Sequence, residues 1–164
     1  MARQLIILRH AQAENGSDDH SRGLTDKGIK ASRKMGEYIK EIGLKPREII
    51  CSDALRTSQT AENICKFADI DTAINKSKKL YLATPGEILK EIANFGDEVD
   101  SLMIVGHNPG VHQLCAGLVG EGDPQLIQNL RSGFPTCAMA VLSLDVSWNN
   151  MGAACASLED FRHC

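Results

Sequence analysis

The sequence predicts an α/β fold: one domain over residues 1–164, built as a three-layer α/β/α sandwich around a mostly parallel central sheet. Three observations lead there. Unbroken apolar runs such as Leu5-Ile6-Ile7-Leu8 and Leu102-Met103-Ile104-Val105 suit strands buried on both faces, which is the habit of parallel sheets. Between them lie stretches with apolar residues at helical spacing, and the two kinds alternate along the chain. With 164 residues, 43% apolar and 24% charged, a single domain can bury a full core without disulfide or metal support.

Taken in order, the first strand is Leu5–Leu8, running straight into Arg9 and His10. Gln12 to Gly23 is rich in polar and charged residues and reads as a loop. Thr25 is the candidate N-cap of the first helix, along which Ile29, Ser32, Met35, Ile39 and Ile42 recur at helical spacing, with Gly43 as the stop. Lys45-Pro46-Arg47 turns into a second strand, Glu48–Cys51. Ser52 or Asp53 should then cap a helix that buries Leu55, Ala61, Ile64, Cys65 and Ala68 and carries Arg56 in its first turns.

A polar connection, Asn75 to Lys79, leads to Leu80-Tyr81-Leu82. Thr84-Pro85-Gly86-Glu87 reads as a capping box, with proline at the first helical position, for a helix ended by Gly96. Ser101–Val105 is a third buried strand and runs into Gly106-His107-Asn108-Pro109. There Asn108 should cap, and Pro109 begin, a helix carrying Val111, Leu114, Cys115 and Leu118. A short helix follows from Asp123-Pro124 to about Leu130, then a fourth strand over 136–144 and an edge strand within 153–162.

Composition removes several function classes. A net charge of -3 and a pI near 5.9 lack the basic face that a nucleic-acid binder wants. The longest apolar runs are strand-sized, and Met1-Ala2-Arg3-Gln4 has no apolar signal segment, so a cytoplasmic protein without a membrane partner is expected. The 6 cysteines form no CxxC pair and read as reduced, mostly buried thiols, with Cys164 exposed. No Gly-rich phosphate loop of the nucleotide-binding kinds is present. His20 and His163 read as solvated, and His112 points away from His107.

Three strand ends carry related groups: Arg9-His10, Ser52 with Arg56 a turn later, and Gly106-His107. On neighbouring parallel strands these would converge at the carboxyl edge, where α/β proteins place their sites. Arginine forks bind phosphate bidentately and stay charged at any working pH. A helix N-terminus after His107 would add oriented N–H groups. A neutral imidazole is a competent nucleophile toward phosphorus.

Leu8-Arg9-His10, the run Cys51-Ser52-Asp53-Ala54-Leu55-Arg56-Thr57-Ser58-Gln59-Thr60-Ala61, and Val105-Gly106-His107-Asn108-Pro109 together resemble the histidine phosphatase superfamily. Their order spans nearly the whole chain. The short length and Ser21-Arg22-Gly23-Leu24-Thr25 look most like its SixA-type phosphohistidine phosphatase branch. The resemblance implies a phosphoglycerate-mutase-like fold and a phosphatase needing no metal and no cofactor. It makes His10 the nucleophile that becomes phosphorylated, with Arg9, Arg56 and His107 holding the phosphate. Arg22 is a candidate for the rim, against a solvated loop arginine. Ser52 is a candidate phosphate contact, against simple helix capping.

Ala11 stands where many members of that family have glycine. The family's phosphomonoesterases also place a carboxylic acid just after the region matched by Leu80-Tyr81-Leu82, where this chain reads Ala83-Thr84. Glu14, Asp18 and Glu87 are the substitutes in reach. An alkoxide leaving group needs a proton donor, typically worth ~10²–10⁴-fold, whereas a phosphoramidate is less demanding. The expectation is therefore a cytoplasmic, monomeric phosphatase acting on histidine-phosphorylated protein, with little chain to spare for a lid. The alternatives are a small-molecule phosphomonoesterase and a non-catalytic phosphate-binding module.

Overall fold

The computed structural model describes residues 2–164. Its strands are β1 (Arg3–Arg9), β2 (Glu48–Ser52), β3 (Ile74–Ser77), β4 (Ser101–Gly106), β5 (Val119–Gly122), β6 (Met139–Leu144) and β7 (Ala156–Arg162). Its α-helices are α1 (Asp26–Ile42), α2 (Leu55–Ala68), α3 (Pro85–Ile92), α4 (Gly110–Leu118) and α5 (Pro124–Ser132). One sheet of 7 strands has the order β3-β2-β4-β1-β6-β7-β5. β6 pairs antiparallel with both β1 and β7, and every other pairing is parallel. The sheet is thus mostly parallel, with β6 alone reversed.

The pleat divides the core in two. Leu5 and Ile7 of β1 face one way with Leu102 and Ile104 of β4, and α3, α4 and α5 cover them with Ile88, Ile92, Val111, Leu114 and Leu130. Ile6 and Leu8 face the other way with Met103 and Val105, beneath Met35 and Ile39 of α1 and Ala61 and Ile64 of α2. Helices on both faces explain why β1 and β4 alternate no polar residues: neither face meets water. No helix among the described residues is long and apolar enough to cross a membrane.

Local signals account for several boundaries. Thr25 Oγ1 accepts from Gly28 N, a cap worth about 1 kcal/mol. Thr84 and Glu87 form the reciprocal capping box of α3. Asp123 accepts from Gln125 and Leu126 N at the start of α5.

Other expectations are corrected. α2 has Ala54 at its cap position with no side-chain bond, so neither Ser52 nor Asp53 caps it. Leu55, expected in the core, is 40% exposed. α3 ends at Ile92 with Ala93 as its C-cap, short of Gly96. α4 begins at Gly110, and Asn108 makes no cap. β3 and β5 were not foreseen. They are the two edges of the sheet, paired on one side only, and Asn75-Lys76-Ser77 and Gly120-Glu121-Gly122 carry no apolar alternation. β7 consequently lies inside the sheet, between β6 and β5, and not at its edge.

Candidate active site

Register brings the strand ends together. Arg9 lies opposite Gly106, and Cys51 opposite Val105, so the chain leaves β1, β2 and β4 side by side at His10, Ser52 and His107. Around this edge is a cavity of about 410 Å³. Arg9, His10, Asp19, Arg22, Arg56 and His107 line it, with Gln12, Ala13, Leu82, Asn108 and Thr136 completing the wall. Two recesses of about 470 and 550 Å³ lie along α5 and the C-terminal strand, but neither gathers a comparable set of charged groups. The smaller cavity is the chemical one.

His10 is buried, and its Nδ1 stands 2.8 Å from the carbonyl oxygen of Ala11. A carbonyl only accepts, so that contact assigns the proton to Nδ1 and leaves the lone pair on Nε2. Burial, above all, pushes the pKa of His10 down to about 4; the Ala11 hydrogen bond opposes this, and Arg56, Arg9 and Arg22 add to it. The imidazole is therefore neutral at neutral pH. Ala11 itself is held by its N–H to Thr60 Oγ1 at 3.0 Å, so the residue after the histidine is fixed by α2.

His107 faces His10 with ring centroids 5.3 Å apart. Its Nε2 lies 2.8 Å from Ser52 Oγ, and its Nδ1 has no partner among the described residues. Burial, then the neighbouring His10 and Arg56, push it down to about 3, with Asp19 pulling the other way. Ser52 is fully buried and is not among the residues lining the cavity. Its expected contact with phosphate is thus corrected: the hydroxyl touches His107 instead.

The arginines are gathered around one carboxylate. The Arg56 side chain is 3% exposed, with Nη1 donating to the Asp19 carbonyl at 2.7 Å and Nη2 to Asp19 Oδ2 at 3.1 Å. Arg22 Nε and Nη2 donate to Asp19 Oδ1 at 3.1 and 2.8 Å, while its Nη1 reaches the Glu14 carbonyl. Arg22 is therefore a cavity residue and not a solvated loop arginine. Arg9 Nη1 donates to the Phe134 carbonyl at 3.0 Å. The Nε atoms of Arg9 and Arg56 are buried without a protein partner among the described residues. Buried unpaired donors of this kind call for an explanation, and an anionic ligand supplies one.

Asp19 is the site residue that sequence reasoning missed. Tyr81 donates its hydroxyl to Asp19 Oδ2, and with Arg22 and Arg56 this holds the carboxyl well below the usual carboxylate range. Tyr81 also stands edge-on to His107 with centroids 5.5 Å apart. The carboxylates named beforehand are elsewhere: Glu14 and Asp18 line a neighbouring recess beyond Arg22, and Glu87 is used in its capping box. His20 is not simply solvated; its Nε2 is 2.8 Å from Asp53 Oδ1. Leu82 forms the apolar part of the rim, 56% exposed and with φ 50, a left-handed backbone that few leucines adopt. Among the described residues no group of three or more His, Cys, Asp or Glu is placed to hold a metal ion.

Comparison with known proteins places the chain in a family. Residues 5–80 match the family model described as histidine phosphatase superfamily (branch 1). The phosphohistidine phosphatase SixA of Escherichia coli (strain K12) is 30% identical over 155 residues, covering 89% of this chain and 88% of that protein. Among solved structures, a candidate SixA phosphohistidine phosphatase from Nakamurella multipartitia superposes with a TM-score of 0.88 at 29% identity, covering 99% of this chain and 96% of that one. The protein histidine phosphatase SixA complexed with tungstate superposes with a TM-score of 0.79 at 26% identity, covering 98% and 96%.

Proposed function

Because the chain belongs to the histidine phosphatase superfamily, we propose that it removes phosphate from phosphohistidine on a protein, through a phosphohistidine intermediate on His10. The observation that carries the choice of substrate is the state of Asp19. It is the carboxylate in the cavity wall, and three donors keep it ionised. It has no proton to give an alkoxide. A phosphohistidine protonated at its other ring nitrogen leaves as neutral imidazole and asks for none.

In the first step the Nε2 lone pair of His10 attacks phosphorus, a P–N bond forms, and the substrate's P–N bond breaks with its electron pair going to the leaving imidazole. In the second step water attacks, the P–N bond to His10 breaks, the pair returns to Nε2, and the water proton passes to the released phosphate. Arg9, Arg22, Arg56 and His107 bear on the oxygens whose charge redistributes in both steps, so the protein's contribution is positioning and electrostatics. A protein-borne substrate fits an open cavity. The loop after β1 is tied to itself by Glu14 N donating to the Gly23 carbonyl and to α2 by Leu24 N donating to Gln59 Oε1.

The test is acid-quenched labelling with a ³²P-phosphohistidine protein in the presence of EDTA. Wild type should carry acid-labile, base-stable label and release phosphate; His10→Ala should do neither. Release from His10→Ala at the wild-type rate, or turnover confined to a sugar phosphate, would overturn the reading.

A further inference from the structure

The structure assigns Asp19 a part in the phosphoryl site: we propose that it is the positioning residue that sets which edges of the Arg22 and Arg56 guanidiniums face the phosphoryl group. The inference rests on the phosphatase reading only for its kinetic consequences; the anion-binding geometry stands by itself.

A guanidinium offers two bidentate edges, Nη1–Nη2 at its end and Nε–Nη2 along its side. Asp19 takes a different edge from each arginine. Its carbonyl and Oδ2 occupy the end edge of Arg56, and its Oδ1 occupies the side edge of Arg22. That leaves the Nε–Nη2 edge of Arg56 with a buried Nε that has no protein partner among the described residues, and a phosphoryl oxygen is the acceptor this edge lacks. Arg22 keeps its remaining Nη protons, and its other tie, to the Glu14 carbonyl, stops the fork from turning.

The carboxylate is also full. Oδ1 receives two N–H bonds from Arg22, and Oδ2 receives Arg56 Nη2 and the Tyr81 hydroxyl. An oxygen so occupied neither releases a proton nor accepts one from a leaving group, so Asp19 acts through its neighbours. Charge agrees with this. Three guanidiniums and one ionised carboxylate line the cavity with two neutral imidazoles, a net charge that matches a phosphoryl dianion. The loop carrying Asp19 thereby ties β1 to α2 and to the Tyr81 segment across the mouth of the site.

The experiment combines titration calorimetry with tungstate, as a tetrahedral phosphate analogue, and kcat/KM on a chemically phosphorylated histidine peptide. Asp19→Asn should weaken tungstate binding at least 10-fold and lower kcat/KM on the order of 100-fold, the scale of losing an oriented donor. Its melting temperature should stay close to that of wild type. Asp19→Glu keeps the charge but moves the carboxylate, and should lose as much. In an Arg22→Ala, Arg56→Lys background Asp19→Asn should cost less than 3-fold more, because its route is through those arginines. Tighter tungstate binding by Asp19→Asn, rescue by Asp19→Glu, or full multiplication of the losses would each overturn the proposal. Should Asp19→Asn fail to fold, the tungstate affinity of Asp19→Glu decides alone. A wild type that binds tungstate but hydrolyses no phosphohistidine sinks the phosphatase reading and leaves the Asp19 test intact, whereas a wild type that binds no tungstate overturns both.

Discussion

The Ser52 hydroxyl stands 2.8 Å from Nε2 of His107, joining two residues 55 positions apart. That contact holds the only protein partner of a buried imidazole whose Nδ1 has none among the described residues. Ser52→Ala should leave both ring nitrogens unpaired and the ring free to turn. The expected outcome is a kcat lower by about 10-fold and a stability loss of about 1–3 kcal/mol. Kinetics paired with urea unfolding checks it; an unchanged kcat would reduce Ser52 to a space-filler.

His10 and His107 also predict an acid limb for stability. Their folded pKa values are pushed from the ordinary 6.5 down to about 4 and about 3. Between roughly these values the unfolded chain binds more protons than the native one. Their contribution is therefore full above about pH 6.5 and is lost as pH falls toward 4 and below, with a slope of up to ~1.4 kcal/mol per pH unit for each histidine. Urea unfolding from pH 4 to 8 should show stability rising with pH, less steeply in a His10→Gln, His107→Gln double variant. In the native protein, NMR titration should find the His10 ring still neutral at pH 5.5, and a midpoint near 6.5 would refute the argument.

Gly110 opens α4 in close contact with the chain beyond Leu82. A Cβ there would meet the Ala83 carbonyl oxygen at 2.1 Å, where backbone has to move. Gly110→Ala should destabilise by about 1–3 kcal/mol and disturb His107 three residues away. Gly86→Ala, where a Cβ meets nothing within 4 Å inside α3, is the control and should stabilise by about 0.4–1 kcal/mol. Thermal melts of the two variants should move in opposite directions.

The errors in reading the sequence have one physical cause at the strand–helix junctions. Ser52, Asp53 and Asn108 stand where caps stand, and local rules assign them to the nearest free backbone N–H. In the folded chain Ser52 Oγ pairs with His107 besides accepting from Ala54 N at 3.4 Å, Asp53 goes to His20, and Asn108 donates to the Phe134 carbonyl at 2.8 Å. At Thr84 and Asp123, and at Thr25, whose hydroxyl donates to Gln12 while accepting from Gly28 N, the caps form as local rules require. Edge strands β3 and β5 escaped notice for a related reason: pairing on a single side does not demand apolar alternation.

By itself the sequence determined the alternation of strand and helix, the two-faced burial of β1 and β4, and the placing of Arg9, His10 and His107 at strand ends with Arg56 a turn after another. All of that follows from periodicities within a few residues and from the rule that parallel strands present their carboxyl edge. Only the tertiary structure decided that Asp19 would knit Arg22, Arg56 and Tyr81 together, that Ser52 would hold His107, and that Ala11 would set the tautomer of His10. Apart from Asp19–Arg22, three residues apart, those contacts join positions tens of residues apart or turn on the direction of a single carbonyl. Spacing along the chain carries no trace of either, because they exist only after the sheet has brought its strand ends to one edge.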